Sequence, residues 1–300
     1  MNFKLMIFTI IGTISLSAAP IKPYIFIGES GESVEMTKSK IIQAVFFSDE
    51  SFEIIGEYNP ENNPEKLVLI LTNPTLQKVI KDSNDNAAYL GGMHLAITAK
   101  GEMTYVSCQN PEYWAIAFLQ DDYNKHETAI IKFKKELLGL MPSMSMRIDL
   151  EFGSYLELTT EEIKNYKYKR KMPGFSDAVK IGEFKNFKEA IDVIESNLAS
   201  SPVCKQVFTN KTEGKNVQVF GIGLTGNDGE SSFFKIFDTG DKRATSFLPF
   251  EIIVIENNVF MLNGRYRFAL GFPDQSKKIF SKTKSIQKNI EADLRTLMTK

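Results

Sequence analysis

The chain has 300 residues, 43% hydrophobic and 24% charged, which excludes a disordered or fibrous protein and leaves room for about two ordinary domains. Lys and Arg number 36 against 37 Asp and Glu, so no whole-molecule field draws the protein to nucleic acid or an anionic membrane. With only two histidines and two cysteines, the usual nucleophile-and-base pairs are scarce.

The N-terminus carries one positive charge at Lys4, an apolar run from Leu5 to Leu16, and small residues from Ser15 to Ala19. That is the layout of a secretory signal peptide. The run is too short to cross a bilayer core of about 30 Å as a helix. Pro20 disfavours a cut after Ala19, so residues 1–18 are expected to be removed after Ser17 or Ala18. The mature protein is expected to be periplasmic or secreted, with no transmembrane span. In an oxidising compartment Cys108 and Cys204 either pair or stay as buried thiols.

In chain order, Met36 to Phe47 reads as an amphipathic helix with Ile41, Ile42, Val45 and Phe46 on one face. Phe52 to Tyr58 and Leu67 to Thr72 read as strands. Asn73-Pro74 is an N-cap followed by proline at the first helical position, and opens a helix through Ile80. Met93 to Thr98 and Met103 to Cys108 are paired strands, and Asn110-Pro111 caps a helix from Glu112 to Leu119. A further helix spans His126 to Leu140. The pattern then repeats: helix Phe187 to Ala199, strands Cys204 to Phe208 and Val217 to Leu224, helix Ser231 to Phe237 stopped at Asp238-Thr239-Gly240, strands Phe250 to Ile255 and Val259 to Leu262. Arg265 to Phe272 continues that strand or adds a third, and an apolar stripe from Ile279 to Leu297 makes a last helix. The expected fold is therefore α+β, a tandem duplication of a small α-β-β-α-β-β(-α) sandwich domain. Its halves occupy 19–150 and 181–300, joined by a charged linker at 151–180. Leu90 and Leu248, 158 residues apart, are the matching anchors.

The segment Leu67-Val68-Leu69-Ile70-Leu71-Thr72-Asn73-Pro74, the Leu90 to Cys108 strand pair and Asn110-Pro111-Glu112-Tyr113 resemble the bacterial family catalogued as domain of unknown function 302. Phe247-Leu248-Pro249-Phe250-Glu251-Ile252-Ile253-Val254-Ile255 is similar in the second half. The resemblance implies a small α+β sandwich and brings no established activity, substrate or catalytic residue. The first half departs from the second at Gly91-Gly92, where the second has Pro249-Phe250.

Motifs of chemistry are weak. Gly221, Gly223 and Gly226 have dinucleotide-loop spacing but lack its βαβ context, which favours close packing. A lone Asp238-Thr239-Gly240 supplies one carboxylate where an aspartic-protease dyad needs two. Asp82, Asn84 and Asn86 begin like a calcium loop, but Ala87 and Met93 stand where it needs glycine and glutamate. His94 and His126 have no neighbouring metal-ligating partner, so no metal and no cofactor is expected; a hydrogen-bonded core histidine is the simplest reading of His94. Lys164, Lys167, Lys169, Arg170 and Lys171, interleaved with Tyr166 and Tyr168, read either as a solvated linker or as a polyanion track.

Arg265 and Arg267 alternate with Tyr266 and Phe268, so on a strand both guanidinium groups share a face and can clamp a carboxylate or phosphate. The alternative is ordinary pairing with Glu251 or Glu256. Tyr113 is the matching aromatic candidate in the first half. The candidate ligand-binding residues are Arg265, Arg267, Tyr113 and His94, with no catalytic residue assigned. The function expected is non-enzymatic binding of a small molecule or envelope protein, not nucleic acid, in the groove between the halves. The alternatives are a periplasmic enzyme with an unrecognised acid/base site, and an envelope interaction protein acting through its C-terminal helix.

Overall fold

The computed structural model describes residues 20–141, 144–156, 158–226, 229–237 and 243–299. The expected signal peptide and the Asp238-Thr239-Gly240 cap lie outside the described residues. The first half runs β1 (Tyr24–Ser30), α1 (Val34–Phe46), β2 (Glu53–Tyr58), β3 (Lys66–Thr72) and α2 (Pro74–Lys81). It continues with β4 (Met93–Lys100), β5 (Met103–Gln109), α3 (Pro111–Leu119), α4 (Tyr123–Gly139) and β6 (Met146–Phe152). After α5 (Thr160–Lys164) the second half runs β7 (Val179–Glu183), α6 (Phe187–Ser200), β8 (Cys204–Lys211), β9 (Val217–Leu224) and α7 (Glu230–Ile236). It closes with β10 (Phe250–Ile255), β11 (Asn258–Met261), α8 (Gly264–Gly271) and α9 (Lys277–Thr296).

The molecule is α+β with two antiparallel sheets, ordered β2-β3-β4-β5-β1-β6 and β8-β9-β10-β11-β7. Set side by side, the two orders are the same, with β6 an extra edge strand on the first. Each unit opens with a strand, β1 or β7, that periodicity alone did not mark, so the shared order is strand, helix, two strands, helix, two strands, helix, helix. The packing is reciprocal as well: the 3₁₀ turn Asp85–Leu90 lies on β9 and β10, and the turn Thr245–Phe247 lies on β4 and β5.

Local capping explains most helix starts. Ser33, Asn73, Asn110, Asn186, Asn263 and Ser276 each accept a backbone N–H from the first turn that follows. Strand alternation then divides the core. Leu67, Leu69 and Leu71 join the large cluster shared with the helices, whereas Val68 and Ile70 pack with Ala96, Val207, Phe208 and Val219 in a smaller cluster between the sheets. That seam is closed by backbone approach: a Cβ on Gly221 would lie 2.0 Å from the Phe208 ring, and one on Gly223 would lie 3.0 Å from the Tyr58 ring. These glycines serve packing between strands, as their sequence context suggests.

Four expectations are corrected. Residues 265–272 are not strand; Asn263 caps α8 there, so the alternation argument for Arg265 and Arg267 fails. Ile42 and Phe46 are exposed on α1, whose buried residues are Val34, Thr37, Ile41 and Val45. The anchor register slips by one. Gly91 N–H donates to the Ala88 carbonyl and Leu248 N–H to the Thr245 carbonyl, so Leu90 matches Phe247 rather than Leu248. His94 then corresponds to Glu251, not Ile252, and Gly91-Gly92 to Leu248-Pro249. The segment 151–180, expected as a solvated linker, holds α5 behind a Thr159/Glu162 capping box and buries Ile163 and Tyr166.

Candidate functional site

His94 on β4 and Glu251 on β10, matched positions of the two halves, meet in the seam between the sheets. His94 Nε2 lies 3.3 Å from Glu251 Oε1, and Arg267 Nη1 lies 2.6 Å from Glu251 Oε2. Arg267 also donates through Nη2 to the carbonyls of Phe247 and Pro249 at 2.9 and 2.6 Å. Its guanidinium lies 4.7 and 4.8 Å from the ring centres of Phe247 and Phe250. The three residues are 1%, 8% and 6% exposed. Burial pulls the His94 imidazole down to about 3, helped by the nearby Arg267 charge. Burial pushes the Glu251 carboxyl up to about 7 against the opposing pull of Arg267.

The proton inventory of this triad is uneven. The other ring nitrogen of His94, Nδ1, faces the Ser246 carbonyl at 3.3 Å. A neutral imidazole has one N–H, so it satisfies either that carbonyl or an ionised Glu251, not both. One proton added to Glu251 turns Oε1 into a donor and satisfies both sides. The triad thus holds an acid-dependent tie across the two halves. It has no room for a substrate: the neighbouring void, bounded in part by Arg267, Phe268 and Gln287, measures about 10 Å³, the space of one water at most.

A second buried carboxylate crosses the same boundary. Glu230, at the start of α7, accepts from Tyr58 Oη at 3.0 Å and from the backbone N–H groups of Glu61 and Leu224 at 3.1 Å each. Burial pushes it up to about 7. Tyr113 is fully buried and donates to the Leu270 carbonyl at 2.8 Å, joining α3 to α8. Of the residues singled out in the sequence, Arg267 and His94 are therefore brought together, Tyr113 is a strut between helices, and Arg265 lies elsewhere. The pairing of Arg267 with Glu251 is the alternative named for it, and the two-arginine clamp does not form. Both cysteines are buried thiols; burial pushes Cys108 up to about 12 and Cys204 up to about 11.

Arg265 projects from α8, half-buried, into an open groove of about 570 Å³. Its lining cations come from two parts of the chain: Lys167, Arg170 and Lys171 from the segment before β7, and Arg265 of α8 with Lys284 and Lys288 of α9. Among the described residues none of these six cations has a carboxylate within ion-pair distance. The two lining carboxylates are engaged otherwise: Glu291 pairs with Arg295 at 2.8 Å, and Asp177 accepts from the Gly174 N–H at 2.8 Å. Along the chain the basic run and Arg265 stand about a hundred residues apart. Only the docking of residues 165–177 against α8 and α9 joins them.

No family model matches the chain, and no curated protein matches it at a significant level. Among solved structures it is similar to an uncharacterized conserved protein, DUF302, from Bacillus stearothermophilus, with 12% identity and a TM-score of 0.34. That likeness covers 39% of this chain and 94% of the other, so it does not extend to two copies.

Proposed function

We propose that this is an exported, non-enzymatic binding protein made of two tandem copies of one α+β domain, and that its ligand is an anion held in the basic groove. The observation that carries the reading is the set of six cations around one concavity that have no carboxylate partner among the described residues. Like charges gathered in a groove raise the local potential and favour an anion over water there. Arg265 is the anchor, because a half-buried planar fork offers directed donors to an oxyanion where lysines offer point charges. The enzymatic alternative has a histidine–carboxylate pair in His94 and Glu251, but that pair is enclosed and has no adjoining substrate space. The groove between the halves foreseen as the ligand site is filled by side chains, which moves the binding proposal to the groove beside α8.

The test is calorimetric titration of the protein with inorganic orthophosphate at constant ionic strength, beside the Arg265→Gln variant. Binding that weakens at least about tenfold in the variant, with an unchanged melting temperature, supports the reading. No heat from orthophosphate or from tripolyphosphate refutes it. Export is checked by the N-terminal residue of protein recovered from the envelope fraction, expected at Ala18 or Ala19. Full-length chain in the cytosol refutes that part.

A further inference from the structure

We infer that the groove recognises a small, non-aromatic ligand carrying at least two phosphate- or sulfate-class groups, which bridges the two cationic banks. This rests on the anion-binding reading above and narrows it. Lys284 and Lys288 are one helical turn apart on α9, so their side chains lie over the same face and act with Arg265 as one bank. Lys167, Arg170 and Lys171 form the other bank, on a segment of different origin. A single anionic group neutralises one bank and leaves the opposite bank's mutual repulsion in place. A ligand charged at both ends relieves both. The volume of about 570 Å³ lies within the range of small-molecule sites and exceeds what one orthophosphate fills.

The aromatic residues of the basic run point the choice away from nucleotides and nucleic acid. Binding of single strands uses exposed rings on which bases stack. Tyr166 is buried, and Tyr168 is stacked on Phe280 with ring centres 4.3 Å apart and donates its hydroxyl to the Gln275 carbonyl. The apolar lining consists of Met172 and Pro173, and among the described residues no ring lines the groove. Phosphate groups of this spacing occur on soluble polyphosphorylated solutes and on diphosphatidyl lipid headgroups; the recognition chemistry is the same for both.

The experiment titrates the protein with orthophosphate, tripolyphosphate and a short single-stranded oligonucleotide at matched ionic strength, and sediments it with phosphatidylcholine vesicles with and without a diphosphatidyl lipid. Tripolyphosphate is expected to bind at least about tenfold more tightly than orthophosphate. Two variants, Lys284→Gln/Lys288→Gln and Arg170→Gln/Lys171→Gln, each take two of the three cations from one bank; each is expected to cut the preference for tripolyphosphate over orthophosphate to less than about threefold with an unchanged melting temperature. Co-sedimentation only with the diphosphatidyl lipid identifies a headgroup as the source, and its absence beside tight tripolyphosphate binding identifies a free solute. Equal affinity for orthophosphate and tripolyphosphate overturns the two-bank inference while the anion reading stands. An oligonucleotide that binds more tightly than tripolyphosphate also overturns it. If no anion binds, both readings fall.

Discussion

Replacing Arg267 by methionine tests whether the buried triad holds the two halves together. Methionine fills much of the arginine volume but leaves Glu251 without its counter-ion at 2.6 Å and removes the donor to the Phe247 and Pro249 carbonyls. Removing one partner of a buried ion pair typically costs about 3–5 kcal/mol, because the other charge stays uncompensated. That is a large share of the 5–15 kcal/mol by which domains are stable, so the variant is expected to fold but with a much lower urea midpoint at pH 8. Arg267→Lys keeps the charge without the fork and should lose less. The double variant Arg267→Met/Glu251→Leu removes both charges and should recover at least half of the single variant's loss, although His94 then lacks its neighbour. Equilibrium urea unfolding followed by tryptophan fluorescence and circular dichroism reads five proteins: the parent, Arg267→Met, Arg267→Lys, Glu251→Leu and the double variant. A loss below about 1 kcal/mol for Arg267→Met, or a double variant as unstable as the two single losses added, refutes the role given to the pair.

The pH dependence should be acid-favoured. Glu251 and Glu230 are raised from 4.5 to about 7, so the folded state holds protons that the unfolded chain releases. Their stabilisation is complete below pH 4.5 and is lost as pH rises through 7, about 3 kcal/mol each, while His94, lowered from 6.5, opposes this below pH 6.5 by a somewhat smaller amount. The unfolding free energy is expected to be larger at pH 5 than at pH 8, by a net of about 3 kcal/mol, with a higher urea midpoint, and a flat or reversed profile contradicts the assignment. Tyr58→Phe removes one donor to Glu230 and should cost about 1–3 kcal/mol at pH 8 and less at pH 5, where that carboxyl is protonated; equal losses at both pH values refute the link. Cys108 and Cys204 should resist a thiol reagent in the native protein and give two thiols after denaturation, with Cys108 the slower. A disulfide detected in unreduced protein refutes the free-thiol state.

The sequence carried the order of elements well and the identity of the site poorly, for reasons that can be named. Capped helices and apolar strands announce themselves locally, which is why α2, α3, β4, β5, β9 and β10 lie close to their expected spans. β1 and β7 pair far along the chain, and β7 is short and half-polar, so no local period marks them. The candidate site depended on a register that sequence alone did not set. Aligning Leu90 with Leu248 puts His94 opposite an isoleucine and makes it an unremarkable core residue; the turn hydrogen bonds shift the match by one, and a one-residue shift exchanges the two faces of a strand. His94 and Glu251 then occupy the same place in the two strand orders, facing each other across the seam. One signal for this was present: Glu251 is a lone carboxylate inside Phe250 to Ile255, and a buried carboxylate needs hydrogen-bond donors or a cation. Asking which cation could reach it would have led to Arg267, once residues 264–271 were read as a capped helix. On a helix, positions two apart point to different sides, so the same correction that buries Arg267 against Glu251 turns Arg265 outward to the basic groove. The two arginines, read together as one clamp, thus separate into a structural tie and the proposed binding anchor.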